Sequence, residues 1–161
     1  MMRTCFLTLF FSGKVPKAQG TAGSILALLL GIPLLLYSLE TLFLLAILIG
    51  VIAIKQIDIY EREHKIHDAK EIVIDELVGM WLAMAIGGIY GTSGAMLYWV
   101  LGLSFVFFRI FDICKPSVIG KIDRELKGGL GVVCDDALAG VFAGLSTLLA
   151  LKLLSFSHLL G

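Results

Sequence analysis

Charged residues are nearly absent from two long stretches of the chain. Between Thr21 and Ile54 only Glu40 is charged, and between Leu77 and Phe108 no residue is charged. As one continuous helix, each stretch would be about 50 Å long, whereas the hydrocarbon core of a bilayer is about 30 Å thick. Each stretch is therefore predicted to form a hairpin of two short membrane-spanning helices, with a re-entrant segment in place of one hairpin as the alternative.

Turn-forming residues lie near the middle of both stretches. The first hairpin is predicted to turn near residues 37–40, and the second within the glycine-rich residues 87–94. A last apolar run extends from Ala137 to Leu151 and on toward Leu160. This run predicts a fifth span.

A short apolar run from Cys5 to Phe11 precedes the first hairpin. Because Lys14 and Lys17 follow it, instead of a small-residue cleavage site, the run does not have the pattern of a secretory signal. We expect a short helix in the membrane interface. Residues 1–161 are thus predicted to form a single all-α integral membrane domain, with about five short transmembrane helices and a short N-terminal interfacial helix.

Composition supports the membrane assignment. Apolar residues make up 58% of the chain and charged residues 16%, whereas soluble domains have about 45–50% and about 25%. Thirteen basic and thirteen acidic side chains cancel, so bulk charge gives no reason to expect a nucleic-acid partner. The three cysteines are far apart and lack the paired spacing of a zinc or redox site.

The charged residues are concentrated in the loops at one predicted face of the membrane. Only Lys152 among the basic residues, and only Glu40 among the acids, lies toward the other face. The positive-inside rule makes the crowded face cytoplasmic. Acidic residues contribute little to orientation, so their position requires another explanation.

One group of acids precedes the third span. A single helix is predicted to run from His67 and Asp68 into this span, which places Asp68, Asp75 and Gly79 in a narrow stripe with Glu76 at its edge. Stacked carboxylates repel one another unless a hard cation lies between them, and magnesium prefers carboxylates, water and phosphate as ligands. The alternative is that these acids only interact favourably with the positive end of the helix dipole and bind no metal.

A second pair of acids, Asp135 and Asp136, precedes the last span in the same way. Together with the first group, this pair would complete a cage of oxygen ligands. Gly140 and Gly144 follow at four-residue spacing. We expect these two glycines to permit close helix packing.

Glycine-rich and basic segments accompany the acids. At residues 20–24, Thr21 or Ser24 is predicted to cap a helix whose free amides could bind an anion. The glycines of residues 128–131 form a second flexible segment of this kind, but they are equally consistent with an ordinary turn. Arg109 and Lys115 could bind phosphate, although Arg109 could equally pair with Asp112 three residues later.

Oxygen ligands, basic side chains and anion sites at one face of a bundle suit a metal ion and a phosphorylated lipid headgroup. On the residues alone, two classes remain open: a metal-dependent membrane enzyme and an ion-coupled transporter. A transporter would be expected to carry its acids near the middle of the membrane, whereas these acids lie at a boundary. A phosphatidyl transferase of the CDP-alcohol type would need an Asp-Gly-x2-Ala-Arg signature, which the chain lacks.

At these same residues the chain resembles the phosphatidylglycerophosphatase A family of bacterial inner-membrane lipid phosphatases. The matching segments appear in the family's order and cover nearly the whole chain. They are residues 20–24, 67–68, 72–81, 108–112, 115–116, 123–124, 128–131 and 135–140. Gln19, where a proline is frequent, and residues 117–119, which lack a second proline, depart from the pattern.

The resemblance implies magnesium-dependent removal of the terminal phosphate from phosphatidylglycerophosphate, which yields phosphatidylglycerol. It implies a multi-pass protein of the bacterial inner membrane whose site faces the cytoplasm. Asp75, Glu76, Asp135 and Asp136 are the expected metal ligands and, with Asp68, the expected catalytic residues. The expected phosphate-binding residues are Gly20, Thr21, Ser24, Arg109 and Lys115, and further candidates for the site are His67, Asp112 and Asp123.

Overall fold

A computed structural model describes residues 2–65, 69–116 and 118–159, with the side chains of 118, 122–124 and 156–159 outside the description. The described residues form helices and connecting turns, and no strand occurs among them. Two 3₁₀ turns span Ser12–Lys14 and Gly88–Tyr90. The α-helices are α1 (Met2–Leu7), α2 (Gln19–Tyr37), α3 (Leu39–His64), α4 (Ile74–Gly87), α5 (Gly94–Cys114), α6 (Val118–Glu125) and α7 (Gly128–Leu159).

Four helices are long and apolar enough to cross a membrane: α2, α3, α5 and α7 as far as Ser155. Their outer faces carry large exposed apolar side chains such as Leu29, Leu44, Val106 and Leu149. So much exposed apolar surface is expected of helices that face lipid. The prediction of an all-α membrane protein is confirmed.

Helix α4 lies at the centre of the bundle, packed against α2, α3, α5 and α7. It has 14 residues, so it is only about 21 Å long, and twelve of its residues are buried. A helix that is apolar all round belongs in the interior. The five predicted spans thus correspond to four long helices and this shorter buried one.

The turns of both hairpins lie where they were predicted. Helix α2 ends at Tyr37, and Ser38 caps α3 by accepting a hydrogen bond from the Thr41 amide at 3.1 Å. The second turn comprises the 3₁₀ turn after α4 and the short segment before Gly94. The chain therefore runs up and down, which brings the starts of α2, α4 and α7 to the same end as the last turns of α3 and α5.

Glycines permit close contact between α4 and α7. A Cβ on Gly140 would lie 2.2 Å from the Gly79 carbonyl oxygen, and one on Gly144 would lie 2.6 Å from the Cβ of Ile86. Neither position has room for a larger residue. The predicted packing role of Gly140 and Gly144 is confirmed.

The predicted helix from residue 67 into the third span is wrong. Helix α4 begins at Ile74, and residues 69–73 form a turn and an irregular segment. The Val73 amide donates to the Leu7 carbonyl at 3.0 Å, so it cannot make the bond to residue 69 that a longer helix requires. His67 and Asp68 lie outside the described residues.

Two other local predictions need correction. Helix α1 spans Met2–Leu7, earlier than the predicted run, because Leu9, Phe10 and Phe11 adopt left-handed backbone conformations that end the helix. Neither Thr21 nor Ser24 caps α2. That helix begins at Gln19 after Ala18, which makes no side-chain cap, so both hydroxyl residues lie inside the helix.

Candidate active site

Three carboxylates from three different helices meet at the end of the bundle where α4 and α7 begin. Glu76 of α4, Asp112 of α5 and Asp136 of α7 each place one oxygen within 4.8 Å of the other two. Glu76 and Asp136 are buried, and Asp112 is half-buried. These residues, called the acidic cluster below, form a possible metal-binding site.

Arg109 and Ser24 support the acidic cluster from the side of α2 and α5. The Arg109 Nη1 atom lies 2.7 Å from Glu76 Oε2 and 2.9 Å from Asp112 Oδ2. It also donates to the hydroxyl of the fully buried Ser24 at 3.0 Å. That hydroxyl lies 2.6 Å from Glu76 Oε2, to which it can donate. Arg109 therefore balances part of the cluster's negative charge.

Asp136 has no such support. Its side chain is only 4% exposed, and among the described residues no hydrogen bond or ion pair reaches its carboxylate. The Asp136 carboxylate lines a polar cavity together with other acids, and its repulsion from these acids is costly because no described counter-charge offsets it. A cation bound between Asp136, Glu76 and Asp112 would remove that cost.

A polar cavity of about 130 Å³ adjoins the acidic cluster. Lys115 lines it and pairs with Asp135, with 2.6 Å between Nζ and Oδ2. Asp75 also lines it, and its Oδ1 accepts the Glu76 amide at 3.0 Å. The lining residues are Asp75, Glu76, Asp112, Lys115, Leu126, Gly128, Gly131, Val132, Asp135 and Asp136.

Negative charge predominates in and around this cavity. Five carboxylates line it, and among the described ion pairs Arg109 and Lys115 neutralise three of them, Glu76, Asp112 and Asp135. Carboxylate oxygens are the ligands that hard divalent cations prefer. The acidic cluster therefore fits a metal-dependent phosphatase, since bound cations would also make the cavity attractive to a phosphate group.

The structure brings most of the predicted site residues together. Asp75, Glu76, Asp135, Asp136 and Lys115 all line the cavity. Asp112, predicted only as a further candidate, belongs to the acidic cluster itself. Asp135, predicted as a metal ligand, lies in the cavity wall and pairs with Lys115.

The remaining predicted site residues lie at the edge of the cavity or outside the described residues. Gly20 is packed against Glu76, since a Cβ there would lie 2.2 Å from Oε1. Thr21 is half-buried, and its hydroxyl makes no hydrogen bond within the described part of the chain. His67, Asp68 and the side chain of Asp123 are outside the described residues.

Asp58 of α3 is a residue that the sequence analysis missed. Its Oδ1 accepts the Gly129 amide at 2.8 Å, at the start of the helix that carries Asp135 and Asp136. Gly128 precedes this contact with a φ of +71°, a conformation that favours glycine. The glycine pair was the only available signal, and a turn explained it equally well.

Fold and site together define a class: an all-helical membrane protein with a buried acidic cluster beside a polar cavity. The comparison with protein families makes this specific. The profile of the family described as phosphatidylglycerophosphatase A matches residues 5–151. The chain belongs to this family.

Individual relatives agree with this membership. The chain is 37% identical to phosphatidylglycerophosphatase A of Escherichia coli over 83% of its length and 74% of the relative's. It is 33% identical to the Haemophilus influenzae enzyme of the same name, over 83% of this chain and 79% of that one. A Bacteroides thetaiotaomicron protein named "Putative phosphatidylinositol-3-phosphatase" is 35% identical over 89% of this chain and 92% of the relative.

Family membership confirms the predicted resemblance and the prediction of a phosphoric monoester hydrolase. The alternative of an ion-coupled transporter receives no support from these relatives. No solved structure matches the chain.

Proposed function

We propose that the chain hydrolyses phosphatidylglycerophosphate to phosphatidylglycerol and inorganic phosphate, in a magnesium-dependent reaction at the bacterial inner membrane. The observation that carries this proposal is the acidic cluster of Glu76, Asp112 and Asp136, three carboxylates within 4.8 Å of one another beside a polar cavity. Relatives named for this activity support the choice of substrate.

The donor set fits magnesium because all three groups of the acidic cluster offer carboxylate oxygens. Glu76, Asp112 and Asp136 would hold the ion, with Asp75 and Asp135 on the adjoining wall. This differs from the set expected from the sequence, in which Asp75 and Asp135 stood in place of Asp112. When bound, magnesium supplies Lewis acidity toward the phosphate oxygens.

The side chains around the cavity account for the other requirements of the reaction. Lys115 presents its ammonium group to the cavity and binds phosphate oxygens there. Asp75 accepts a proton from the water that attacks phosphorus. As the bond from phosphorus to the glycerol oxygen breaks, that oxygen takes up a proton from water in the cavity and leaves as the alcohol, and Asp75 then releases its proton to solvent. Direct attack by water is preferred here over an aspartyl-phosphate intermediate.

The proposed orientation places the cavity at the cytoplasmic face. Basic residues cluster in the loops at the same end of the bundle as the acidic cluster, and Lys152 lies toward the other end. Short loops rich in Lys and Arg stay on the cytoplasmic side. The substrate's acyl chains would remain in the bilayer while its phosphate enters the cavity.

Phosphate release by the purified protein tests this proposal. We expect release from phosphatidylglycerophosphate that stops when a chelator is added and resumes with excess Mg²⁺. Phosphatidylinositol 3-phosphate, the substrate class in the name of the Bacteroides relative, is assayed in parallel. Faster hydrolysis of that lipid would overturn the substrate assignment, and full activity in chelator would overturn the metal assignment.

A further inference from the structure

The first two turns of α2 form a wall behind the Glu76 carboxylate. Ser24, which is fully buried, places its hydroxyl 2.6 Å from Glu76 Oε2. Gly20, one turn earlier, lies so close that a Cβ there would be 2.2 Å from Glu76 Oε1. Both carboxylate oxygens of Glu76 are therefore in contact with α2, one through a hydrogen bond and the other by close packing.

Arg109 strengthens the same arrangement from α5. Its Nη1 atom donates to the Ser24 hydroxyl at 3.0 Å and to Glu76 Oε2 at 2.7 Å. The serine thus receives a hydrogen bond from a cation and can donate its own proton to a carboxylate. Such charge-assisted bonds are short and directional, so they fix one orientation of the glutamate.

We infer that Ser24 and Gly20 are positioning residues, which hold the Glu76 carboxylate toward Asp112 and Asp136 so that the cation site is formed before the metal binds. This inference rests on the proposed function, because it takes the acidic cluster to be the magnesium site. It replaces the role expected for the two residues from the sequence, which was direct binding of the substrate phosphate.

The physical reason is repulsion within the acidic cluster. Without support, the flexible Glu76 side chain would turn away from Asp112 and Asp136, and metal binding would have to bring it back. Hydrogen-bond partners behind a metal ligand remove that cost, and their loss typically weakens metal affinity about 10- to 100-fold. In α2, the Ser24 hydroxyl supplies this support, and the absence of a Cβ at Gly20 leaves room for the Glu76 carboxylate in this position.

Metal binding without substrate measures the effect directly. Purified, metal-stripped protein is titrated with Mn²⁺, and the free ion is followed by electron paramagnetic resonance. Ser24→Ala and Gly20→Ala are each expected to weaken Mn²⁺ binding by about 10- to 100-fold. Ser24→Ala removes the hydrogen bond, whereas Gly20→Ala displaces the carboxylate sterically.

Two matched controls use the same chemical changes elsewhere. Ser104→Ala removes another fully buried hydroxyl, which bonds to the Ala83 carbonyl away from the acidic cluster. Gly102→Ala adds a methyl group where nothing lies within 4 Å. Both controls are expected to bind Mn²⁺ as the wild type does.

Kinetics separate positioning from direct contact with the substrate. A positioning role predicts that the variants need more Mg²⁺ for half-maximal activity, recover kcat at saturating Mg²⁺, and keep the KM for lipid. A raised KM for lipid with unchanged Mn²⁺ affinity would return both residues to phosphate binding and overturn the inference.

Failure of the positioning role is distinguishable from failure of the proposed function. If wild-type protein binds no Mn²⁺ and hydrolyses lipid without metal, the metal site itself is wrong. If wild type binds Mn²⁺ and both variants bind it equally well, only the positioning role is wrong. Should Ser24→Ala not fold, Gly20→Ala decides alone, because alanine favours a helix more than glycine does.

Discussion

Asp136 shows most clearly how one residue's environment defines its role. It is a buried carboxylate, and no counter-charge contacts it among the described residues. Glu76 and Asp112 both contact Arg109, so they are partly neutralised already. A divalent cation is therefore expected to be stabilised most by Asp136, because that carboxylate faces the cavity with no counter-charge among the described residues.

Replacing Asp136 tests this argument. Asp136→Asn keeps the shape but removes the charge, so phosphate release is expected to fall below about a tenth of the wild-type rate. The melting temperature without metal is expected not to fall, because a repulsive charge has been removed. Both are measured on purified protein by phosphate assay and thermal unfolding.

Glu40→Gln is the matched control, since Glu40 is an exposed acid at the other end of the bundle. It is expected to leave the rate unchanged. Retention of substantial activity by Asp136→Asn would remove this residue from the proposed metal site.

Among the elements, the contact between α4 and α7 sets the geometry of the site. Gly79 and Gly140 let the two backbones approach until a Cβ on either residue would meet the other helix. A Cβ on Gly79 would lie 2.5 Å from the carbonyl oxygen of Asp136. The same contact that packs the helices thus brings Asp136 toward Glu76.

Widening this contact is expected to damage stability and activity together. Gly140→Ala places a methyl group against backbone, which cannot move as a flexible side chain can. We expect the free energy of unfolding to fall by about 1–3 kcal/mol and the rate of phosphate release to fall with it. Thermal unfolding in detergent and the phosphate assay measure the two effects.

Gly102→Ala makes the same change at an open position of α5. It is expected to be neutral or to stabilise the helix by up to about 1 kcal/mol. If Gly140→Ala and Gly102→Ala have the same stability and the same rate of phosphate release, the close contact between α4 and α7 is not needed for either property.

At the scale of the whole molecule, the alternation of the long helices gathers the polar chemistry at one end. Cys114 is exposed at that end, at the close of α5. Glu40 is exposed at the opposite end, in the first turn of α3. The proposed cytoplasmic orientation therefore makes these two positions accessible from different sides of the membrane.

Labelling with a membrane-impermeant maleimide tests the orientation. In a variant with Cys5→Ser and Cys134→Ser, the remaining Cys114 is expected to react in inside-out vesicles and not in right-side-out vesicles. The control is a variant in which all three native cysteines are replaced by serine and Glu40 is replaced by cysteine. It should react in right-side-out vesicles and not in inside-out vesicles. Labelling of Cys114 from the outside would invert the proposed topology.

Local features of the sequence predicted the spans and their turns. The length of an uncharged run limits where a helix can cross, and Ser38 and the glycines of residues 87–94 mark the turns. The start of α4 could not be predicted in this way. It depends on the bond from the Val73 amide to Leu7, a contact between residues far apart in the chain.

By itself the sequence determined that this is an all-α membrane protein, because hydrophobic runs and charge placement are properties of the chain, and its motifs indicated the family. It also predicted four of the five acids that line the cavity to be metal ligands, and it named Asp112 as a further candidate. Only the tertiary structure decided that Asp112 joins Glu76 and Asp136 while Asp135 pairs with Lys115. That choice depends on distances of a few ångströms between helices, which the packing of Gly79 against Gly140 sets.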